Sequence, residues 1–71
     1  MNVEIIGTNA GAVWNALSTA ESLNLKQIKK LTKLKDKELF AALGWLAREG
    51  KLCIEAVEGD DKELNVILIQ G

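Results

Sequence analysis

Residues 35–51 constrain the fold more than any other stretch, because they have the pattern of one helix with a defined start and end. Apolar residues recur at the three- and four-residue spacing that places them on one narrow helical face: Leu39, Ala42, Leu43 and Leu46. Asp36 and Glu38 fall in the first turn, where the helix dipole favours acids. Gly50 stands where a left-handed C-terminal cap belongs.

The opposite face of this predicted helix carries Lys37, Ala41, Gly44 and Arg48. A glycine inside a helix costs about 1 kcal/mol relative to alanine, so Gly44 needs an explanation. One interpretation is a low surface that another molecule approaches closely and meets with positive charge. The other is that Ala41 and Gly44 are ordinary exposed positions, or that Gly44 makes room for the first helix of the same chain.

Charge is distributed unevenly along the 71 residues, although the net charge is only −1. Residues 26–37 contain six lysines and one acid, for a local charge of +5, whereas the remainder has three basic and nine acidic residues. A chain this short predicts a single domain over residues 1–71 with a small core. The few aromatic residues, Trp14, Phe40 and Trp45, are expected to contribute strongly to that core.

The first third of the chain predicts a strand followed by a helix. Residues 2–6 are a short, largely apolar run that Gly7 ends, which is typical of a brief strand. Thr8 or Asn9 then provides a possible cap for a helix over residues 9–22. Apolar residues of that helix follow helical spacing and include Val13, Trp14 and Leu17.

The middle of the chain predicts a short second helix over residues 25–32. Asn24 and Gln27 have the spacing of a capping box. Ile28 and Leu31 are expected to point inward, and the other side carries lysines: Lys26, Lys29, Lys30 and Lys33. This lysine face is either a phosphate-binding surface or simply a solvated one. The short connection to the next helix, anchored by Leu34, indicates a helix-turn-helix.

The last third predicts a β-hairpin with strands at 52–57 and 64–69 and a polar turn at 58–63. Cys53, the only cysteine, is expected to be half-buried. The predicted order is therefore β-α-α-α-β-β. This is an α+β winged helix-turn-helix with three helices, a C-terminal two-stranded wing and a short N-terminal strand.

The last strand is apolar on both faces from residue 66 to residue 69. A sheet that packs on helices from one side normally has polar residues on the other, so an apolar outer face implies a partner. The pattern predicts a homodimer whose interface contains Val66, Ile67, Leu68 and Ile69. The alternative is that the N-terminal segment, including Ile6, covers Ile67 and Ile69.

Composition argues against several classes of protein. The chain has no histidine, no tyrosine and no glycine-rich phosphate loop, so we expect neither an enzyme nor a cofactor-binding protein. Without a cluster of Cys or His, no metal site is expected. No apolar run approaches about 18 residues, which predicts no membrane span. The single cysteine is typical of a reducing compartment, and we expect a cytoplasmic protein.

Residues 43–52 resemble the end of the recognition helix and the entry to the wing in winged helix-turn-helix proteins. Residues 12–17 and 41–49 together resemble a family of small, stand-alone winged helix-turn-helix proteins of prokaryotes whose function is unassigned. The wider winged-helix class implies DNA binding, with the third helix in the major groove of double-stranded DNA. Carried over to this chain, the groove-facing residues are Lys35, Lys37, Ala41, Gly44 and Arg48. The residues that meet phosphates are then Lys26, Lys29, Lys30 and Lys33.

One departure from that class concerns the wing, whose turn carries four acids and one lysine for a charge of −3. A tip of this charge repels phosphates, so helices 2 and 3 must carry any contact with DNA. Two hypotheses follow. The first is a DNA-binding transcriptional regulator or accessory factor, and the second is a protein-interaction or dimerisation module that does not bind DNA.

Overall fold

In a computed structural model, which describes residues 2–69, three helices pack against a three-stranded antiparallel sheet. The elements are α1 (Val3–Leu17), β1 (Leu23–Asn24), α2 (Leu25–Thr32), α3 (Asp36–Arg48), β2 (Leu52–Val57) and β3 (Asp60–Leu68). The strand order is β1-β3-β2, so β3 is central. This arrangement is a winged helix, and it confirms the predicted fold class.

The predicted N-terminal strand is wrong, because residues 3–6 form the first turns of α1. The side chain of Asn2 accepts a hydrogen bond from the Ile5 N–H at 2.9 Å and caps the helix, and Glu4 follows in the first turn. Gly7 lies within α1 and does not end an element. The short strand of the sheet instead lies after α1, at Leu23–Asn24, so the observed order is α-β-α-α-β-β.

The other element boundaries follow the sequence more closely. α1 ends at Leu17, five residues before the predicted end. α2 covers the predicted residues, and the capping box of Asn24 and Gln27 is present with hydrogen bonds of 2.8 and 2.9 Å. β3 begins at Asp60, four residues earlier than predicted, because a turn at residues 58–59 with Gly59 at a φ of 82° closes the hairpin.

Aliphatic side chains from every helix and strand form the core. Its largest fully buried members are Leu17, Ile28, Leu39, Val13 and Val66. The aromatic residues are not part of it, since Trp14, Phe40 and Trp45 are each more than a third exposed. The expected burial of Leu31 and Cys53 is also wrong: both are exposed, because the neighbouring Ile28 and Leu52 already take the inward positions.

The four residues predicted for a dimer interface lie at the end of the central strand, with Ile69 just beyond it, and differ in exposure. Val66 is fully buried and offers no surface to a second copy, and Leu68 is half-buried against the core. Ile67 is half-buried and Ile69 is exposed. The apolar inner face therefore belongs to the monomer core, and only the odd-numbered positions remain available on the outer face.

Replacing Leu39 by alanine is expected to destabilise the protein by about 3 kcal/mol, because a fully buried leucine leaves a cavity. Urea unfolding followed by circular dichroism measures the change. Leu31→Ala is the matched control on α2, since Leu31 is 57% exposed, and it should cost less than about 1 kcal/mol. Equal losses in the two variants would contradict the assigned core.

Candidate nucleic-acid interface

The connection between α2 and α3 is a three-residue turn that Lys33, Leu34 and Lys35 form. Lys33 adopts a left-handed conformation with φ at 62°, which a non-glycine residue seldom adopts. Thr32 connects the turn to α2, since its hydroxyl donates to the Ile28 carbonyl at 2.7 Å and accepts the Leu34 N–H at 3.4 Å. Leu34 packs against the core as expected. The turn therefore places Lys33 and Lys35 on the surface between the two helices.

The start of α3 is capped from inside the helix. Lys35 has no acceptor for the free N–H groups, and Glu38 compensates by accepting the Lys35 N–H at 2.9 Å. At the other end, Gly50 adopts a φ of 71°, which is the predicted left-handed termination. These two ends fix the helix that carries the predicted groove-facing residues.

The outward face of α3 is open around Gly44. A Cβ atom added at Gly44 meets no atom within 4 Å, so Gly44 does not make room for α1. Lys37 and Arg48 are exposed on the same face, and Ala41 is half-buried beside it. It is Gly7 of α1 that faces α3, since a Cβ atom added at Gly7 would lie 3.9 Å from Trp45 Cζ2. The face of α3 around Gly44, where the side chains are small, is therefore accessible to another molecule.

The six lysines of residues 26–37 are not equivalent. Lys29 forms an ion pair with Asp36, and Lys26 lies close enough to Glu63 to interact electrostatically with its carboxylate. Within residues 2–69, the structure records no ion pair for the others: Lys30, Lys33, Lys35 and Lys37. These four, all exposed, and Arg48 are the cations that α2, α3 and their turn make available to an anionic partner.

Glu63 of β3 has a structural role that the sequence analysis did not predict. Its carboxylate accepts the Leu25 N–H at 2.6 Å and the Leu64 N–H at 2.9 Å. Burial acts to raise the pKa of Glu63, but hydrogen bonds from the backbone N–H groups of Leu64, Leu25 and Lys26 and the charge of Lys26 outweigh it, so the pKa is lowered. The carboxylate thus anchors the wing to the N-terminus of α2.

Phe40 is the second feature that the sequence did not reveal. Its ring is 51% exposed and borders a groove of about 220 Å³ between α2, α3 and β3. Charged residues surround the ring there: Lys26, Lys29, Asp36, Lys62 and Glu63. An exposed aromatic ring amid charges gives α3 an apolar contact point beside its cationic face.

Two further features of residues 2–69 concern membrane-spanning helices and metal-binding groups. No helix among residues 2–69 is both long and apolar enough to cross a membrane. The same residues contain no group of three or more acidic or cysteine side chains arranged to hold a metal ion.

Comparisons with known proteins agree with this geometry. A family model described as a winged helix-turn-helix domain, DUF2582, matches residues 1–68. The chain is also similar to protein BT2368 from Bacteroides thetaiotaomicron, solved by solution NMR, with 34% identity and a TM-score of 0.81. That match covers 96% of this chain and 79% of the other. No curated protein matches the chain.

Gly44→Ala is expected to raise the free energy of unfolding by about 0.5–1 kcal/mol, because alanine favours the helix and its methyl group meets nothing. Thermal unfolding followed by circular dichroism measures the gain. Gly50→Ala is the control, since Gly50 also has open space but needs a positive φ, and it should be destabilising. A loss at Gly44 would mean that its face is covered.

Replacing Glu63 by glutamine is expected to lower stability at pH 6 by about 1 kcal/mol, because the amide oxygen can still accept the N–H of Leu25 but the negative charge that strengthens this hydrogen bond is lost. The folded pKa is lowered from 4.5, so this contribution is present above about pH 4.5 and disappears as the pH falls through the folded value. Urea unfolding at pH 6 and pH 3 should show the difference between Glu63→Gln and the wild type shrinking.

The control for this measurement is Glu58→Gln, which makes the same change of charge in the nearby turn. It should alter stability by less than about 0.5 kcal/mol. A difference between Glu63→Gln and the wild type that stays constant from pH 6 to pH 3 would contradict the role of the carboxylate.

Proposed function

We propose that this chain, which belongs to the winged helix-turn-helix family DUF2582, binds double-stranded DNA with α3 in the major groove. It would act as a transcriptional regulator or accessory factor. The observation that carries the proposal is the open face of α3, where Gly44 lies between exposed Lys37 and Arg48 with no side chain of the same chain over it.

Four lysines in and beside the α2–α3 turn supply the electrostatic part of the proposal. Lys30, Lys33, Lys35 and Lys37 are exposed and adjoin the N-terminal end of α3. Cations at such positions neutralise phosphates and release the counterions that surround DNA, which supports sequence-independent affinity. Lys26 and Lys29 contribute less under this proposal, because each already has an acidic neighbour.

The acidic wing sets the orientation of DNA in this proposal. Residues 58–63 carry a charge of −3, and their backbone turn is exposed. Phosphates therefore approach along α2 and α3, and the wing tip stays away from the backbone of the duplex. This differs from a winged helix whose wing contacts DNA.

The first test is fluorescence anisotropy with a mixed-sequence DNA duplex at several salt concentrations. If four lysines per subunit neutralise phosphates, log K should fall with log salt at a slope of roughly −3.6. Absence of binding at low salt up to about 100 μM, a generous limit for non-specific contact, would defeat the proposal.

The second test compares Gly44→Glu with Gly44→Gln, which have nearly the same size and differ in charge. A Cβ atom at position 44 meets no atom within 4 Å, so we expect both variants to fold. We expect Gly44→Glu to bind DNA at least tenfold more weakly than Gly44→Gln, because a carboxylate on the groove-facing surface repels phosphates. Equal affinities would remove α3 from the interface.

A protein-interaction module is the second candidate function, and the exposure of Phe40 favours it. An aromatic residue at the edge of a charged groove is typical of a docking contact with another protein. A chemical-shift map separates the two functions. Shifts along α2 and α3 on addition of DNA support the first. Their absence, with concentration-dependent shifts elsewhere, supports the second.

A further inference from the structure

We propose that β2 is the interface for a second copy of this chain, through antiparallel pairing of the two β2 edges about a twofold axis at Cys53. The proposal does not depend on DNA binding. It moves the expected dimer contact from β3, whose Val66 and Leu68 serve the core, to the strand that the sheet leaves open on one side.

The backbone of β2 has one free hydrogen-bonding edge. In the order β1-β3-β2, β2 pairs with β3 on one side only. The Ile69 N–H donates to the Lys51 carbonyl at 2.8 Å, so Lys51 and alternate residues after it direct their polar groups toward β3. The N–H and C=O groups of Leu52, Ile54 and Ala56 consequently point away from β3.

This edge lacks most of the features that normally prevent pairing between sheets. Natural edge strands are protected by charged side chains, above all lysine, by proline, by a bulge or by a covering segment. β2 contains neither lysine nor proline, its one charged residue is Glu55, and its irregularity comes only after Ala56. Cys53 and Glu55 are exposed, and Ile54 remains 39% exposed although it lies opposite buried Val66. The regular, unprotected part of the edge is therefore residues 52–56.

The charges beside β2 favour a second copy of this chain as the partner, and they favour one pairing register. In antiparallel pairing, opposite residues lie on the same face of the sheet, so a twofold axis can pass through Cys53, Ile54 or Glu55. An axis at Glu55 places two carboxylates opposite each other. An axis at Ile54 places Cys53 opposite the partner's Glu55. An axis at Cys53 places Lys51 of each chain opposite Glu55 of the other, which gives two symmetric pairs of opposite charge. Of the three registers, only this one pairs opposite charges.

The same register agrees with the hydrogen-bonding pattern. It pairs Leu52 with the partner's Ile54, and both have polar groups directed to the free edge, so they can exchange hydrogen bonds. Cys53 and the partner's Cys53 then form a non-hydrogen-bonded pair, in which opposite Cα atoms are about 4.5 Å apart. Because the paired edge is short, the dimer belongs to the weak, transient class of complexes.

Sedimentation equilibrium of the intact chain without DNA, from about 10 μM to about 1 mM, tests the association at low salt. Glu55→Lys and Lys51→Glu each place like charges opposite, and each should weaken dimerisation about tenfold. The double variant Lys51→Glu/Glu55→Lys restores opposite charges and should return to within about threefold of the wild type.

Glu58→Lys is the matched control, because it gives the same net charge as Glu55→Lys but lies in the turn after β2. It should leave the dissociation constant within about twofold. A protein that stays monomeric at about 1 mM, or a dimer that responds equally to Glu55→Lys and Glu58→Lys, would overturn the proposal.

Cross-linking tests the register separately. Oxidation by diamide should join two chains through Cys53, because the expected Cα separation suits a disulfide. The comparison is Glu58→Cys in a Cys53→Ser background, which moves the exposed thiol to the turn. We expect the native thiol to cross-link at least tenfold faster. Equal rates would show random collision and overturn the register.

Discussion

The carboxylate of Glu63 connects the two halves of this fold. It accepts the Leu25 N–H across 38 positions of sequence, next to the point where β1 pairs with β3 through Asn24 and Asn65. The N-terminus of α2 is thereby held against the central strand, and the three-residue turn holds α3 against α2. The orientation of the cationic surface relative to the wing is set by this anchor together with the pairing of β1 with β3 and the apolar packing between α2 and the sheet.

The anchor also organises the electrostatics. Glu63 and Asp36 partly neutralise Lys26 and Lys29 on the side of α2 that faces the groove. The remaining positive charge is concentrated at the turn between α2 and α3, away from the acidic hairpin. A domain with a net charge of −1 can therefore present a cationic surface, since the two signs are separated in space and each acts locally at physiological ionic strength.

Strong local signals allowed much of the fold to be predicted from the sequence. Helical spacing, the capping box at Asn24 and the positive φ of Gly50 depend on neighbouring residues, and all three are confirmed. The prediction of a strand at residues 3–6 is wrong because a short, largely apolar run suits a strand or a helical turn equally well, and the cap that Asn2 provides favours the helix. The two-residue β1 carries no periodic signal at all.

The candidate site was predictable in part. The exposure of Gly44 and Lys37 follows from their position opposite the apolar stripe of α3, which is a local property. The anchoring role of Glu63 was not predictable, because it depends on a contact between distant residues. The exposure of Trp14 and Phe40 was missed for a related reason: aliphatic side chains fill a core this small, and large rings remain at its margin.

The close passage of α1 over Trp45 at Gly7 has a consequence for how this helix pair can vary. A Cβ at position 7 would lie 3.9 Å from the indole, an ordinary van der Waals distance, so the crossing has space for one methyl group. A longer side chain would have to displace the ring toward water. The size of the side chain at position 7 therefore sets how deeply the Trp45 ring is shielded from water.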